Sequence, residues 1–362
     1  MRIVHLATGR DWAGGTRPVV HLVRALAALD VPQVVVTSRE SALDRQLAAA
    51  PVPDVEVHAL PWRTALDPRA LPGILHDLRA DSPDGGPTVV HAHDSPALAL
   101  ASFVHPADVP LVVSRRSSRP VTRAALWRRA DLVIATSEAA RGQLLAQGLA
   151  PEAVVVVAPG VPTRALPAPA GGHGVRQRLG LAPGTPLAVS VGTLAAEDRL
   201  PMLVEAASRL AAISPELHWV VAGVGPRRAS LLRRARQLGV SSRLHLLGPI
   251  DAPERLVAEA TVFVLPGTRD LLAPWLLEAM ALGVPIVAAA VGGVREIVGE
   301  NAGLLVPRDA PATVADGVHR LLVEPAFADV LVRAARARAA EFDAARMATA
   351  HLAVYRSLDS HS

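Results

Sequence analysis

Two carboxylates, Asp270 and Glu278, bracket the otherwise apolar stretch RDLLAPWLLEAMAL. Pro274 suits the first position of a helix, where its missing N–H costs nothing, so Asp270 falls in the preceding loop and Glu278 about one turn inside. A pair so placed could grip a ligand. The spacing also fits a plainer reading, Asp270 as helix cap and Glu278 as a charge on the helix face. A second group with chemistry to offer is HAHD, with His91 and His93 two residues apart. The H-x-H spacing suits a metal, but no further histidine or carboxylate cluster in the sequence supports one. His91 reads as structural. His93 reads either as a buried, hydrogen-bonded group or as part of a site. The third is RRSSRPVTRAALWRRA, where Arg115, Arg116, Arg119, Arg123, Arg128 and Arg129 surround Trp127 with no acidic residue among them. It fits a solvated face, and equally a surface for an anionic ligand or acidic lipid headgroups.

These groups need a frame. MRIVHLATG, PQVVVTS, TVVHAHD, PLVVSRR, DLVIATS and AVVVVAPG are short β-branched runs ending in glycine or polar loops, separated by segments of helical length. Such alternation predicts a parallel sheet covered on both faces. Between Pro159 and Pro186 the chain turns rich in proline, alanine and glycine, the composition of a linker. The alternation then restarts with PLAVSVGTL, LHWVVAGVG, SRLHLLG, TVFVLPG, VPIVAAAVGG and AGLLVP. The expected organisation is an α/β chain of two doubly wound, Rossmann-like domains facing a cleft. Residues 1–162 form the N-terminal domain and 163–340 the C-terminal domain. Residues 341–362 form a helix with the option of packing back on the N-terminal domain.

In such sheets ligands sit outside the carboxyl ends of the strands, where free backbone amides attract anions. Glycines fall at several of these ends: Gly14 and Gly15, Gly192, Gly223 and Gly225, Gly267, and Gly292 with Gly293. Each alone also fits an ordinary tight turn, and none belongs to a P-loop or a complete G-x-G-x-x-G fingerprint.

Composition narrows the classes. At 362 residues and 51% hydrophobic side chains the chain can bury sizeable cores. With no cysteine, disulfide frameworks, thiolate nucleophiles and cysteine metal sites are excluded. All 37 fixed cationic side chains are arginine, yet the formal net charge is only +4, which does not mark a nucleic-acid binder. The opening MRIVHLATG lacks the long apolar core and cleavage site of a signal peptide and reads as a first strand. The longest apolar run is broken by Gly283, Pro285, Gly292 and Gly293, against a membrane-spanning helix. A cytoplasmic location fits best, with peripheral contact at the inner face of a membrane as the further option.

TRDLLAPWLLEAMALGVPIVAAAVGGVREIV followed by NAGLLVP resembles the donor-site block of the family 4 glycosyltransferases, retaining enzymes of GT-B fold. The resemblance extends over nearly the whole chain, through WAGGTRPVVHLVRAL, HAHD, IATSEAA, VGTLAAEDRL and VAGVGPRR. It implies a nucleotide-sugar donor on the second domain, an acceptor hydroxyl on the first, no metal and no cofactor besides the donor substrate. In the family's Glu, seven residues, Glu motif, the first carboxylate lies near the sugar and the second on the ribose hydroxyls. Glu278 matches the second, and Asp270 stands at the first, one methylene shorter. His93 matches a histidine near donor sugar and acceptor hydroxyl. Arginine in the 115–129 segment is common among members acting on membrane glycolipids, which points to an anionic or lipid-linked acceptor and cell-envelope glycan chemistry. Where the family places an arginine and a lysine for the donor diphosphate, this chain has Thr193 and Asp198. Arg199, Arg227 and Arg228 are the nearby candidates to replace them. Transfer to a hydroxyl with retention is therefore the expected activity. A binding or scaffold protein that has lost turnover is the second reading, and a nucleotide-sugar epimerase the third.

Overall fold

The computed structural model describes all residues except 10–14, 63, 65–66, 81, 83–84, 118–120, 122, 164–165, 167–173, 197, 251, 268–272 and 360–362. Gly14, Arg119 and Asp270 thus lie outside the described residues. The chain divides into two compact units, Met1–Val161 with Asp343–Ser362, and Pro162–Phe342.

Unit 1 carries seven strands: β1 (Arg2–Ala7), β2 (Gln33–Ser38), β3 (Val55–Leu60), β4 (Thr88–Ala92), β5 (Leu111–Arg115), β6 (Leu132–Ala135) and β7 (Val154–Val156). They pair in parallel in the order β3-β2-β1-β4-β5-β6-β7. The intervening helices are α1 (Thr16–Ala27), α2 (Ala42–Ala49), α3 (Leu71–Arg79), α4 (Ser95–Val104), α5 (Ala124–Trp127) and α6 (Glu138–Ala146). Side chains of Ser41, Asp94 and Ser137 cap α2, α4 and α6 by accepting a backbone N–H three residues on.

Unit 2 carries α7 (Val175–Arg178), β8 (Leu187–Val191), α8 (Pro201–Leu210), β9 (His218–Ala222), α9 (Arg228–Gln237), β10 (Leu244–Gly248), α10 (Pro253–Ala258) and β11 (Val262–Leu265). It continues with α11 (Ala273–Leu282), β12 (Ile286–Ala289), α12 (Gly292–Val298), β13 (Leu304–Val306), α13 (Pro311–Val323) and α14 (Pro325–Ala340). Its six parallel strands run β10-β9-β8-β11-β12-β13. The strand order therefore reverses between β1 and β4 in unit 1 and between β8 and β11 in unit 2. Those two switch points are where a doubly wound sheet opens a crevice for a ligand.

Because strand side chains alternate, each face of the unit 1 sheet has its own inventory. Val4, Leu6, Val34, Val36, Val90 and Ala92 build one core. On the opposite face Ile3, Val89, Val112 and Ile134 pack with Leu22 and Leu26 of α1. A final helix, α15 (Ala344–Asp359), returns to that second face and contributes Met347, Ala348 and Tyr355. It enters beside Gly160: Ala344 N–H donates to the Val161 carbonyl at 2.9 Å, and a Cβ on Gly160 would lie 2.8 Å from the Ala344 Cα. Among the described residues, no helix is long and apolar enough to cross a membrane.

Candidate functional site

At the unit 1 switch point, register decides which polar groups meet. His5 on β1 stands opposite His91 on β4, and Gln33 lies opposite Ile3 on the neighbouring strand. His91 and His93, two residues apart, fall on the same side as His5, so three imidazoles converge on the face covered by α1 and α15. The His91 and His93 ring centroids are 4.0 Å apart, and those of His5 and His93 5.1 Å. One ring nitrogen from each of the three lies within 4.8 Å of the others, a spacing open to a metal. Sequence spacing alone had not reached His5, which enters only through strand pairing.

Every one of these rings is hydrogen-bonded within the protein. His91 Nδ1 meets the Tyr355 hydroxyl at 2.7 Å and its Nε2 the Ser114 hydroxyl at 2.8 Å. His93 Nε2 meets His5 Nδ1 at 2.9 Å, and His5 Nε2 meets Gln33 Oε1 at 3.1 Å. Arg116 reaches inward: its Nη1 donates to the His93 carbonyl at 2.6 Å and its Nη2 to His93 Nδ1 at 2.9 Å. Burial pushes His5 down to about 4 and His91 and His93 well below the ordinary imidazole value of 6.5, with neighbouring imidazoles and Arg116 acting in the same direction on the latter two. His351 on α15, its Nδ1 bonded to the Met347 carbonyl, is also pushed down to about 4 by burial, and burial pushes the Tyr355 phenol up. The cluster is neutral at pH 7.

His93 is 2% exposed, with both ring nitrogens and its carbonyl committed to protein partners. A direct role on donor sugar or acceptor hydroxyl would require this network to open. The next residue in HAHD ties two loops together. One oxygen of Asp94 accepts from Thr8 N–H and Thr8 Oγ1, each at 2.7 Å, while the other caps α4 through Ala97 N–H.

The basic segment also divides. Arg115 lies against the Trp127 ring at 5.4 Å, Arg116 turns onto His93, and Arg128 donates to the Gln147 and Gly148 carbonyls. Arg129 sits 5.0 Å over the ring of Phe103, which is 63% exposed on α4. The surface face is thus formed by Arg123, Arg128 and Arg129 with one outward aromatic. Gly15 precedes α1 and provides no side-chain cap.

In unit 2 the loops after β8 and β9 run backbone against backbone. Gly192 N–H donates to the Ala222 carbonyl, Leu194 N–H to Val224, and Arg227 N–H back to Leu194. Gly223 has φ +144°, and a Cβ there would fall 1.7 Å from the Gly192 carbonyl oxygen; one on Gly225 would fall 2.7 Å from the Leu194 backbone. The GVG sequence is therefore needed for loop-on-loop packing, a demand separate from any ligand. Gly223→Ala is expected to destabilise unit 2 by on the order of 3 kcal/mol, through left-handed strain and a backbone clash, read as a lower denaturation midpoint. A midpoint within error of the parent would refute this.

Thr193 Oγ1 donates to Asp198 Oδ2, and Asp198 is 2% exposed. The loop after β8 thus holds a buried acid bonded to its own hydroxyl where two cations were expected from the resemblance. Arg199, at φ +51°, points to the loop after β13, its Nη2 3.1 Å from Asp309 Oδ2. That pair is nearly half exposed on both sides, and such surface pairs contribute roughly 0–1 kcal/mol, so Arg199 can be drawn off by a stronger anion. Glu278 is 0% exposed on α11, flanked by Trp275, Leu276, Leu277, Ala279 and Met280, each at most 1% exposed. A carboxylate so fully buried is costly to desolvate unless it is paired, which argues against the solvated helix-face reading of its sequence position.

Residues 12–165 match Glycosyltransferase Family 4, and residues 175–338 match Glycosyl transferases group 1. The D-inositol 3-phosphate glycosyltransferase of Frankia alni is 31% identical, over 96% of this chain and 95% of that protein. The α-maltose-1-phosphate synthase of Mycobacterium tuberculosis is also 31% identical, over 88% of this chain and 92% of its own length. Among solved structures, Anabaena HepE in complex with UDP-glucose superposes with a TM-score of 0.82 at 21% identity, over 99% of this chain and 100% of that one. Two doubly wound parallel sheets and relatives aligned end to end lead to one assignment: the chain belongs to the family 4 glycosyltransferases and has the GT-B fold.

Proposed function

We propose that the protein moves a hexose-type sugar from a nucleotide-sugar donor to a hydroxyl acceptor, with retention of configuration. The observation that carries the reading is end-to-end relatedness to named sugar transferases, at 31% identity over 96% of the chain. The donor is assigned to the β8/β11 switch point of unit 2, with Glu278 on the ribose hydroxyls and Asp270 at the sugar. Gly192, Thr193, Gly223 and Gly225 line its diphosphate side. The acceptor is assigned to the β1/β4 switch point of unit 1, beside His93. Catalysis then rests on positioning and on charge stabilisation of the leaving diphosphate rather than on a covalent intermediate. The test is incubation with a panel of nucleotide sugars, UDP-glucose first because HepE was solved with it, following nucleotide release and product configuration. No release of nucleoside diphosphate from any donor, with water or with any added hydroxyl compound, would overturn it, and an inverted product would overturn the retention.

The Thr193–Asp198 pair favours one competing reading, a protein that binds nucleotide sugar but turns it over poorly. A buried acid does not neutralise a departing diphosphate, and missing electrostatic stabilisation of this kind costs about 3 kcal/mol or more of barrier. Arg199 is proposed as the replacement cation. Arg199→Ala is expected to weaken nucleoside diphosphate binding about tenfold in a calorimetric titration, the loss of one charged hydrogen bond. Unchanged affinity would remove Arg199 from the site.

Arg123, Arg128 and Arg129 with Phe103 suit peripheral contact with an acidic membrane, in line with a lipid-linked acceptor at the inner face. Flotation with vesicles containing anionic lipid should carry the protein upward and Phe103→Ser should reduce it. Absence from both anionic and neutral vesicle fractions would end that reading.

A further inference from the structure

The imidazole network at the unit 1 switch point has a direction fixed by its two ends. Arg116 can only donate, so His93 Nδ1 must be the acceptor in the 2.9 Å contact and carries no proton. The Val23 carbonyl can only accept, so the Gln33 amide nitrogen donates to it at 3.1 Å, which turns Gln33 Oε1 toward His5. His5 Nε2 therefore donates to Gln33, leaving His5 Nδ1 as acceptor for the proton on His93 Nε2. The chain runs one way, Arg116 to His93 to His5 to Gln33 to Val23, and each neutral ring has one allowed tautomer.

A metal is disfavoured by the same geometry. To ligate through the cluster, His93 would have to give up its bond to His5, and a divalent ion would have to settle beside the Arg116 guanidinium. The hydrogen-bonded arrangement satisfies the rings of His5 and His93 without one.

Burying such a chain is expensive when the same face elsewhere is filled by Ile3, Val35, Val89 and Val112. Its product is placement. Two bonds, to the His93 carbonyl and to His93 Nδ1, fix the Arg116 guanidinium in orientation as well as position, half-buried in the loop after β5 beside the carboxyl end of β4. A proton on His93 Nδ1 would set donor against donor and expel the guanidinium. His5, bonded to Gln33, prevents that swap.

We propose that His5 and Gln33 are positioning residues which, through His93, hold Arg116 at the β1/β4 switch point as the fixed cation for an oxyanion, phosphate or carboxylate, on the acceptor. This rests on the assignment of the acceptor to unit 1. His93 then acts as the mount of that cation, and the proton it carries faces the interior.

The experiment uses the full chain with 15N-labelled histidine and arginine. In the parent, His5 and His93 should each give an unprotonated Nδ1 and a protonated Nε2 signal between pH 6.5 and 8. Inorganic phosphate and acetate, titrated separately, should shift the Arg116 side-chain signal; the stronger response tells which oxyanion source the site favours. In Gln33→Met, His93 should average between tautomers and the affinity for the better anion should fall about tenfold, the worth of one charged hydrogen bond. His5→Leu should do the same. If that variant does not fold, Arg116→Gln at the outer end supplies the second case, with loss of both the anion response and the single His93 tautomer. A folded Gln33→Met with the parental His93 tautomer and anion affinity would overturn the proposal, as would an Arg116 signal indifferent to both anions, or tight binding of zinc to the parent with loss of the Nε2 protons. None of these readouts requires sugar transfer, so a failure of the transferase reading shows separately, as absent nucleotide release with the relay signals intact.

Discussion

Lowering the pH from 7 to 5 is expected to destabilise unit 1 by several kcal/mol, well before ordinary carboxylates titrate. Free in an unfolded chain, the ring of His5 or His351 takes up a proton near pH 6.5, whereas burial holds each at about 4 in the folded protein. Between those values the unfolded state binds more protons, so stability is complete above pH 6.5 and drains away as the pH falls toward 4. By pH 5 the loss is roughly 2 kcal/mol for each of the two rings. His91 and His93 act in the same direction, and Arg116, the charged group facing them, makes every added proton more costly. The groups around the cluster come from β1, β4, the loop after β5 and α15, and Tyr355 remains a neutral phenol throughout. Domains are stable by only about 5–15 kcal/mol, so a loss of this size is a large part of the whole. Hydrogen exchange by mass spectrometry at pH 7, 6 and 5, corrected for intrinsic rates, should show protection lost first in peptides from β1, β4 and α15. His351→Gln should flatten the response. Equal protection of those peptides at pH 7 and 5 would contradict the account.

The second large effect concerns Glu278. Glu278→Gln is expected to weaken binding of the nucleotide sugar by about 10–100-fold, since a hydrogen bond to a charged group contributes about 1.5–3 kcal/mol. The replacement is nearly isosteric and keeps one carbonyl oxygen, so the thermal midpoint should move by only a few degrees. That combination separates a ligand-binding carboxylate from one whose role is internal to α11. Calorimetric titration of parent and variant with the donor, beside a thermal melt, supplies both numbers. Affinity unchanged within twofold would remove Glu278 from the donor site. A midpoint collapse without a separate affinity change would assign it to the core instead.

Much of the scaffold could be read from local pattern. The valine-rich runs became parallel strands because residues buried on both faces cannot alternate with polar ones, and β1, β2 and β8 are buried throughout. The H-x-H pair fell on one sheet face because strand side chains repeat every second residue. Pairing across the sheet was not legible: nothing near His5 indicates that it lies opposite His91, and Gln33 gives no sign of facing an imidazole. Arg116 looked like one more charge in a basic segment, and only its long-range contact with His93 sets it apart. Likewise the sequence displayed Thr193 and Asp198 as departures from a resembling pattern, but not that they bond to each other. Local periodicity fixes what an element is; a site is made of register and of partners distant along the chain.

The return of α15 to unit 1 has a consequence for biosynthesis. The ribosome completes the whole of unit 2 before the residues that supply Met347, His351 and Tyr355 emerge. Until then the histidine-lined face of the first sheet lacks part of its cover, and Ser114 and His91 lack the phenol that ends their hydrogen-bonded series. Unit 1 therefore cannot complete its fold until unit 2 has been synthesised, which departs from the usual N-to-C order of folding during synthesis.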